Sequence, residues 1–244
     1  MNVRQILRRS QTIVGLARDA RSLTSVPRRL SQLRARQSLI DAYLRSHPVR
    51  KLHLGAGPAL LEGWLNTDLA PASACVAYLD VTKPFPLADA SFDYVFSEHM
   101  IEHIRWPEGR FMLSECRRVL RPGGTLRVAT PDLEMFVHLY GHQDDPRGMR
   151  YVRWVTDRYL DGQQPCRPSL VINNLFRSWG HQFLYDGDLL AMTLGEAGFA
   201  RIRRACPGVS EHEALRGIES HGRLVGDEDM GAFETLVFEA SRPA

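Results

Sequence analysis

The stretch KLHLGAGPALLEGWLNTDL, residues 51–69, joins two short apolar runs through a loop that contains three glycines, Gly55, Gly57 and Gly63. The runs predict strands over Lys51–Leu54 and Trp64–Asp68, and only nine residues, Gly55–Gly63, connect them. Nine extended residues reach ~30 Å, which is enough for a return to a parallel neighbour. A helical crossover normally takes about a dozen residues or more, so we predict that any helix in this connection is limited to one or two turns.

The glycines and the acid of this stretch predict a ligand site at one edge of the sheet. Gly55 and Gly57 let the backbone approach a ligand without a Cβ clash, and Asp68 can accept both hydrogen bonds from a ribose diol. The dinucleotide pattern GxGxxG with an acid ~20 residues later is not met. Leu60 stands at the third glycine position, and Asp68 follows Gly55 by only thirteen residues. The loop therefore favours a nucleoside ligand without phosphates; a plain tight turn and a strand-end cap at Asp68 are the structural alternatives.

Downstream of this stretch, strand and helix patterns alternate, which predicts an α/β fold with a largely parallel sheet. A long, mainly helical excursion over 132–185 interrupts the alternation and is the natural place for substrate selection. The further predicted strands are Val76–Asp80, Phe92–Ser97, Thr125–Thr130, Arg201–Ala205 and Glu234–Ala240, and the predicted helices are Pro107–Arg121 and Gly187–Ala197.

The first 50 residues form a strongly basic segment. They carry eleven arginines against two acids, a net charge of +9, so the rest of the chain sums to −6 within the overall +3. Apolar residues at helical spacing predict two amphipathic helices, the second opening at Pro27. We interpret residues 1–48 as a basic helical extension and 49–244 as the main domain. The extension packs on the domain or contacts an anionic membrane. Nucleic acid is disfavoured, since no aromatic residue stands among the arginines before Tyr43.

Cysteine usage and hydropathy predict a cytoplasmic location. The four cysteines are scattered without a close pair, and no apolar run approaches the ~20 residues of a membrane span. Arginines interrupt the apolar residues of the N-terminus too often for a signal peptide. We therefore expect any membrane contact to be peripheral, at the inner face, through the basic segment.

Several segments occur in an order that resembles the class I S-adenosylmethionine-dependent methyltransferases, in the branch called methyltransferase type 11. They are LHLGAG, GWLNTDL, LDVTKPFPLADASFDYVFSEHMIEHI and LSECRRVLRPGGTLRVATPDL. The later WGHQFLYD, LGEAGF and ETLVFEASRP are similar to a bacterial subgroup with unassigned substrates. The resemblance covers about residues 50–243. It implies a Rossmann-like, seven-stranded, mostly parallel sheet with an antiparallel last strand, the two closing strands being joined by a loop rather than a helix.

The resemblance also implies S-adenosylmethionine as the cofactor. In such proteins the loop glycines lie against the methionine part, acids after the second and third strands meet the ribose and the adenine, and the end of the fourth strand borders the sulfonium. The residues that match these positions are Gly55, Ala56, Gly57, Asp68, Leu69, Asp80, Val81, Ser97 and Glu98. Two positions depart from the pattern, since His53 replaces a frequent acid and Ala59 replaces a third loop glycine.

Methyl transfer to a hydroxyl requires a base near the methyl group, and two segments offer a histidine. His99 lies in SEHMIEH and His181 in NNLFRSWGHQFLYD; both are predicted to be catalytic, with hydrogen-bonded structural histidines as the alternative. The residues predicted to contact the acceptor are Glu102, Arg177, Tyr185 and His221. No metal site is predicted, because His99 and His103 lack the HExxH arrangement and the sequence shows no third ligand.

The sequence therefore predicts methyl transfer from S-adenosylmethionine to a small molecule, a glycan or a glycolipid, at a hydroxyl group. Two alternatives stay open at this point: a cofactor-binding protein without transferase activity, and an RNA methyltransferase. A nicotinamide oxidoreductase is disfavoured because the phosphate-loop spacing is missing.

Overall fold

The computed structural model describes residues 31–160, 162 and 165–244, and one seven-stranded sheet organises this part of the chain. The strands are β1 Lys51–Leu54, β2 Leu65–Asp68, β3 Ala77–Tyr78, β4 Phe92–Glu98, β5 Leu120–Pro131, β6 Ala200–Ala205 and β7 Thr235–Ser241. Their spatial order is β3-β2-β1-β4-β5-β7-β6. The first five are parallel, and β7 is antiparallel to both β5 and β6. The predicted Rossmann-like sheet with an antiparallel last strand is confirmed.

Helices pack beside the sheet, and three of them form most of a second apolar core. They are α1 over 31–46, α2 Trp106–Val119, α3 Leu133–Gly141, α4 Pro146–Tyr159, α5 Pro168–Arg177, α6 Gly187–Glu196, α7 His221–Val225 and α8 Glu228–Glu234. Helices α3, α4 and α5 bury their apolar residues against one another, so the excursion over 132–185 is helical, as predicted. In the ranges that the structure describes, no helix is long and apolar enough to cross a membrane.

Helix α1 ties the N-terminal extension to the sheet. Ile40 and Tyr43 are buried in the main core, and the Tyr43 hydroxyl accepts a hydrogen bond from the N–H of Lys51 at 2.8 Å. The predicted second N-terminal helix is thus present and packs on the domain over its described part. Pro27 and the first predicted helix lie outside the described residues, and the boundary at residue 48 stays a prediction.

The connection between β1 and β2 contains no helix. Residues 55–64 run through turns and irregular backbone, although β1 and β2 pair in parallel, with Leu52 opposite Leu65. The prediction that any helix in this connection is limited to one or two turns therefore agrees with the structure. So short a connection is needed in full to return the chain to the neighbouring strand.

The connection between β6 and β7 contains two short helices, α7 and α8, so the prediction of a plain loop is wrong. The Asp227 side chain accepts hydrogen bonds from the N–H groups of Asp229 and Met230, which caps α8. Glu234, predicted to open the last strand, is instead the last residue of α8. Helices of five and seven residues are too short for hydrophobic periodicity to reveal.

A buried arginine holds this connection against the sheet. Arg127 on β5 is fully buried and pairs with Glu239 on β7 at 2.6 Å and with Glu219. Its guanidinium also donates to the carbonyl oxygens of Val209 and Cys206, at 2.9 and 3.1 Å. Glu219, which lies in the middle of the connection, is thereby fixed as a structural ion-pair partner.

Candidate active site

The glycine loop after β1 leaves open space on one side. Gly55 and Gly57 have positive φ angles of +67° and +50°, a conformation that favours glycine. A Cβ on Gly55 would collide with the Met100 side chain, whereas a Cβ on Gly57 would meet no atom within 4 Å. Packing therefore requires Gly55, and Gly57 borders space that a ligand can fill.

Asp68 lies at the end of β2 and holds the glycine loop directly. Its Oδ2 atom accepts a hydrogen bond from the N–H of Gly57 at 2.9 Å, and its Oδ1 atom accepts one from Ala70 at 2.7 Å. A carboxylate has about four acceptor positions, so these bonds leave capacity for a ribose hydroxyl. The strand-end cap and the ligand contact are thus compatible roles of one side chain.

The other implied cofactor positions lie at the ends of β2, β3 and β4. Asp80 follows β3 and accepts from the N–H and hydroxyl of Thr82 at 3.0 and 2.7 Å, while Leu69 is half-exposed. Val81, next to Asp80, is partly buried. Ser97 on β4 is buried, and its hydroxyl has no hydrogen-bond partner.

Glu98 ends β4 and carries a carboxylate at the same edge of the sheet. It accepts hydrogen bonds from the N–H of His221 at 2.9 Å and from the hydroxyl of Ser220 at 2.8 Å. Glu98 also lines the cavity that the glycine loop borders, where a negative charge suits a sulfonium cation. The space beside Gly57, the Asp68 carboxylate and Glu98 together fit S-adenosylmethionine.

One cavity of about 320 Å³ joins the glycine loop to the acceptor side, a size within the range of small-molecule sites. The loop residues, the segment after β4, helix α4 and the connection before β7 all contribute to its walls. The aromatic and histidine side chains on these walls are His53, His99, His103, Tyr151, Trp154, Tyr159, Trp179, His181 and His221. A mainly apolar chamber with a few polar groups is typical of a ligand pocket.

His99 is held on both ring nitrogens. It has a positive φ of 43°, and its Nε2 atom lies 3.0 Å from the Thr235 hydroxyl, which itself donates to the carbonyl of Gly231. The Nδ1 atom faces Glu102 at 3.4 Å. Burial alone would lower the pKa of His99, but the Glu102 carboxylate more than offsets this and the pKa is raised. Both ring nitrogens of the partly buried His99 therefore face a partner.

Glu102 is the buried anion that balances His99. Its side chain is fully buried, and its Oε2 atom accepts from the Thr130 hydroxyl at 3.0 Å. Burial alone would raise the pKa of Glu102, yet the adjacent His99 ring lowers it. The Oε1 atom makes no hydrogen bond.

His181 comes from the excursion and reaches the same wall. Its Nδ1 atom lies 2.8 Å from the carbonyl oxygen of Leu175, so Nδ1 carries the proton and Nε2 keeps its lone pair. Burial lowers the pKa of His181. Its ring meets that of His103 edge-on at 5.0 Å. Together with Glu102 these histidines form a group whose ligand-type atoms all lie within 4.8 Å of one another.

His221 belongs to a hydrogen-bond network of which the sequence revealed only a part. The His221 ring stacks on His99 with 3.5 Å between centroids, and its Nε2 atom lies 2.7 Å from Glu234. Glu234 also accepts a hydrogen bond from the Tyr151 hydroxyl, and burial raises the pKa of Tyr151. Neither Glu234 nor Tyr151 stood out in the sequence, because no local pattern marks a contact between residues 83 positions apart.

The cavity does not include two of the predicted acceptor residues. Arg177 is exposed at the end of α5, and Tyr185 is fully buried in the main core. Neither residue lines the cavity, whereas Glu102 and His221 do. The alternation of aromatic and polar residues in this segment did not show which side chains face the cavity.

Comparisons with known proteins give the family of part of this chain. Residues 64–128 match the model of the methyltransferase domain Methyltransf_11. A probable S-adenosylmethionine-dependent methyltransferase from Mycolicibacterium smegmatis is 53% identical over 47 residues, 19% of this chain and 18% of that protein. One from Mycobacterium tuberculosis is 51% identical over 47 residues, 19% of this chain and 16% of that protein. The chain thus spans less than a fifth of the length of these curated relatives.

Solved structures with a similar course of the chain include a SAM-dependent methyltransferase from Archaeoglobus fulgidus. It is 15% identical, has a TM-score of 0.47, and the alignment covers 88% of this chain and 94% of that one. The family match on residues 64–128 lies within the sheet order β3-β2-β1-β4-β5-β7-β6. Residues 64–128 of this chain are therefore similar to the methyltransferase domain Methyltransf_11.

Proposed function

We propose that this protein transfers the methyl group of S-adenosylmethionine to a hydroxyl of a small molecule, a glycan or a glycolipid. The observation that carries the proposal is the cavity that joins the glycine loop to a wall of histidines and aromatic rings. A methyl donor held at the loop and an acceptor held at that wall meet in this cavity. The experiment that tests the proposal is a methylation assay on cell glycans and lipids, read by mass spectrometry with and without the protein.

The cofactor lies along the edge formed by the loop and the strand ends. Gly55, Ala56 and Gly57 contact the methionine part, Asp68 holds the ribose, and Asp80 with Val81 meets the adenine. Leu69 covers the nucleoside, while Ser97 and Glu98 border the sulfonium. This arrangement is supported by the free space at Gly57 and by the remaining acceptor capacity of Asp68.

The reaction needs alignment and the removal of one proton. The sulfonium methyl group is already activated, so the protein aligns the acceptor oxygen with the C–S bond and excludes water. The oxygen–methyl bond forms as the sulfur–methyl bond breaks, and the hydroxyl proton passes to a base. The nitrogens that keep a lone pair at the cavity are Nε2 of His181 and Nδ1 of His221. His99, held on both nitrogens, acts as a positioning residue for Glu102 and His221.

The acceptor side favours a ring-shaped or partly apolar molecule. Tyr151, Trp154, Tyr159 and Trp179 line this part of the cavity, and aromatic faces contribute large contact areas with defined orientation. A sugar of a glycan or glycolipid offers a ring and several hydroxyl groups. The basic first 50 residues would then hold the protein at an anionic membrane surface where such acceptors occur.

We expect Asp68→Ala to weaken binding of S-adenosylmethionine and S-adenosylhomocysteine roughly 10- to 100-fold, because a hydrogen bond to a charged group contributes about 1.5–3 kcal/mol. Calorimetry measures both affinities. Asp89→Ala, which removes an exposed carboxylate paired with Arg118, is the control and leaves them unchanged. An Asp68→Ala protein that binds both ligands as tightly as the parent would contradict the assignment.

We expect Gly57→Ala to weaken S-adenosylhomocysteine binding at least about tenfold, since the new Cβ enters the space that the ligand occupies. Gly123→Ala is a matched control, because Gly123 also has a positive φ, +79°, and no atom within 4 Å of its Cβ position. Both variants lose roughly 1–2 kcal/mol of stability from backbone strain. Equal binding by the two variants, measured by calorimetry, would place the ligand away from Gly57.

A further inference from the structure

Two distant segments bring three ligand-type side chains together at the cavity wall. Glu102 and His103 follow β4, and His181 lies 78 residues later, in the extended segment after α5. One ligand-type atom from each lies within 4.8 Å of the others. All three residues line the cavity that also contains the glycine loop. We call them the Glu–His–His cluster. It supplies the third ligand that the sequence did not show.

Backbone hydrogen bonds fix the two segments against each other. The carbonyl oxygen of Glu102 accepts from the N–H groups of Gln182 and Phe183, at 2.7 and 3.2 Å. The carbonyl oxygen of His103 accepts from the Gln182 side chain at 2.6 Å. The main chain therefore positions the cluster before any ligand binds, which is what a precise metal or catalytic site requires.

Each side chain of the Glu–His–His cluster has an atom available for coordination. The Glu102 Oε1 atom is buried and makes no hydrogen bond, and it lies 3.4 Å from Nδ1 of His99, an ion-pair contact that it would share with a metal ion. His181 donates from Nδ1 to the Leu175 carbonyl, the outer contact that commonly orients a metal-binding imidazole and leaves Nε2 free. Among the described residues, no hydrogen bond involves a ring nitrogen of His103, whose ring faces His181.

We propose that the Glu–His–His cluster binds a divalent transition metal ion of the zinc type. Two imidazoles and one carboxylate are the protein ligands of a His₂Glu zinc site, which keeps a fourth position open. Magnesium and calcium are disfavoured because they take oxygen ligands. Tetrahedral ligands at ~2.1 Å from zinc stand roughly 3.4 Å apart, so small side-chain rotations close the observed separation.

The role of the metal rests on the proposed function. Its open position faces the cavity, where it binds the acceptor oxygen and lowers the pKa of that hydroxyl, as zinc does for a bound water. His181 then serves as a ligand, and the proton passes to Nδ1 of His221, whose Nε2 atom is oriented by Glu234. As in the reaction without a metal, the oxygen–methyl bond forms while the sulfur–methyl bond breaks.

The test is a titration of the full-length protein, freed of metal with a chelator, with Zn²⁺ by calorimetry and with Co²⁺ by visible absorption. The parent is expected to bind one equivalent of Zn²⁺ in the cavity. His181→Ala, His103→Ala and Glu102→Gln should each weaken it at least about tenfold, the loss that even outer contacts of a metal site produce. His138→Ala is the matched control, because His138 stacks on His142 as an exposed histidine pair without a carboxylate in the group.

Circular dichroism and thermal unfolding establish that each variant is folded, and His181→Ala, at a partly buried site, is the least disruptive of the three. Three results would each overturn the inference: the parent binds no Zn²⁺, the folded cavity variants bind Zn²⁺ as tightly as the parent, or only His138→Ala loses Zn²⁺ binding. Binding of S-adenosylhomocysteine to the metal-free parent is measured separately. Its failure would count against the proposed function, and failure of Zn²⁺ binding alone would count only against the metal site.

Discussion

Replacing His181 by alanine is expected to lower the rate of methyl transfer about 100-fold or more, the usual effect of losing a group that handles the acceptor proton. The reason is positional: His181 Nε2 is free at the cavity wall, fixed by the Nδ1 bond to Leu175. Affinity for S-adenosylhomocysteine is expected to change less than about threefold, since the interaction serves the acceptor rather than the cofactor. Single-turnover kinetics and calorimetry on the same protein separate the two effects.

His142→Ala provides the comparison, since His142 is exposed at the end of α3 and belongs to no wall of the cavity. It should retain the parent rate. A His181→Ala protein that turns over as fast as the parent would remove His181 from the reaction, whether as a base or as a metal ligand.

Replacing Glu239 by alanine is expected to reduce the free energy of unfolding by about 3 kcal/mol, the lower end of the cost of breaking a buried ion pair, because Arg127 keeps Glu219 as a second partner. Arg127 is fully buried and pairs with Glu239 at 2.6 Å. Urea unfolding measures the loss. Glu211→Ala is the control, because Glu211 is 79% exposed beside Arg203 and its removal should cost less than about 1 kcal/mol.

Equal stability of Glu239→Ala and the parent would contradict this account. Burial alone would raise the pKa of Glu239, but Ser210, Arg203 and Arg127 lower it below its usual value. The contribution of Glu239 is therefore present above its unfolded pKa and is lost as the pH falls through its folded pKa.

Local patterns predicted most of the sheet. β1 begins and ends where the apolar run Lys51–Leu54 does, and α6 ends one residue before the predicted Ala197. β5 is longer than the predicted strand Thr125–Thr130, because it starts at Leu120 and includes Pro122, Gly123 and Gly124. Strand and helix boundaries of this kind depend on the neighbouring strand, which local sequence does not specify.

The site was predictable only where its residues are close in sequence. The glycines of the loop and Asp68 fall within one strand-loop-strand unit, so their proximity follows from that unit. The approach of His181 to His103 and of Tyr151 to Glu234 depends on how the excursion and the last connection fold back over the sheet. The contact that His99 makes through its second ring nitrogen likewise depends on Thr235, which lies 136 residues away in the sequence.

The cavity walls come from separable parts of the chain, and this has an evolutionary consequence. The loop and strand ends proposed to hold the methyl donor lie between residues 55 and 98, whereas α4, Trp179 and His181 belong to the excursion over 132–185, whose apolar core also includes Met230 of α8. Exchange of that stretch alone would change which molecules are modified and leave donor recognition intact. Relatives that share the donor half can therefore diverge in specificity by recombination or loop grafting, and chimaeras built at its ends offer a route to engineered selectivity.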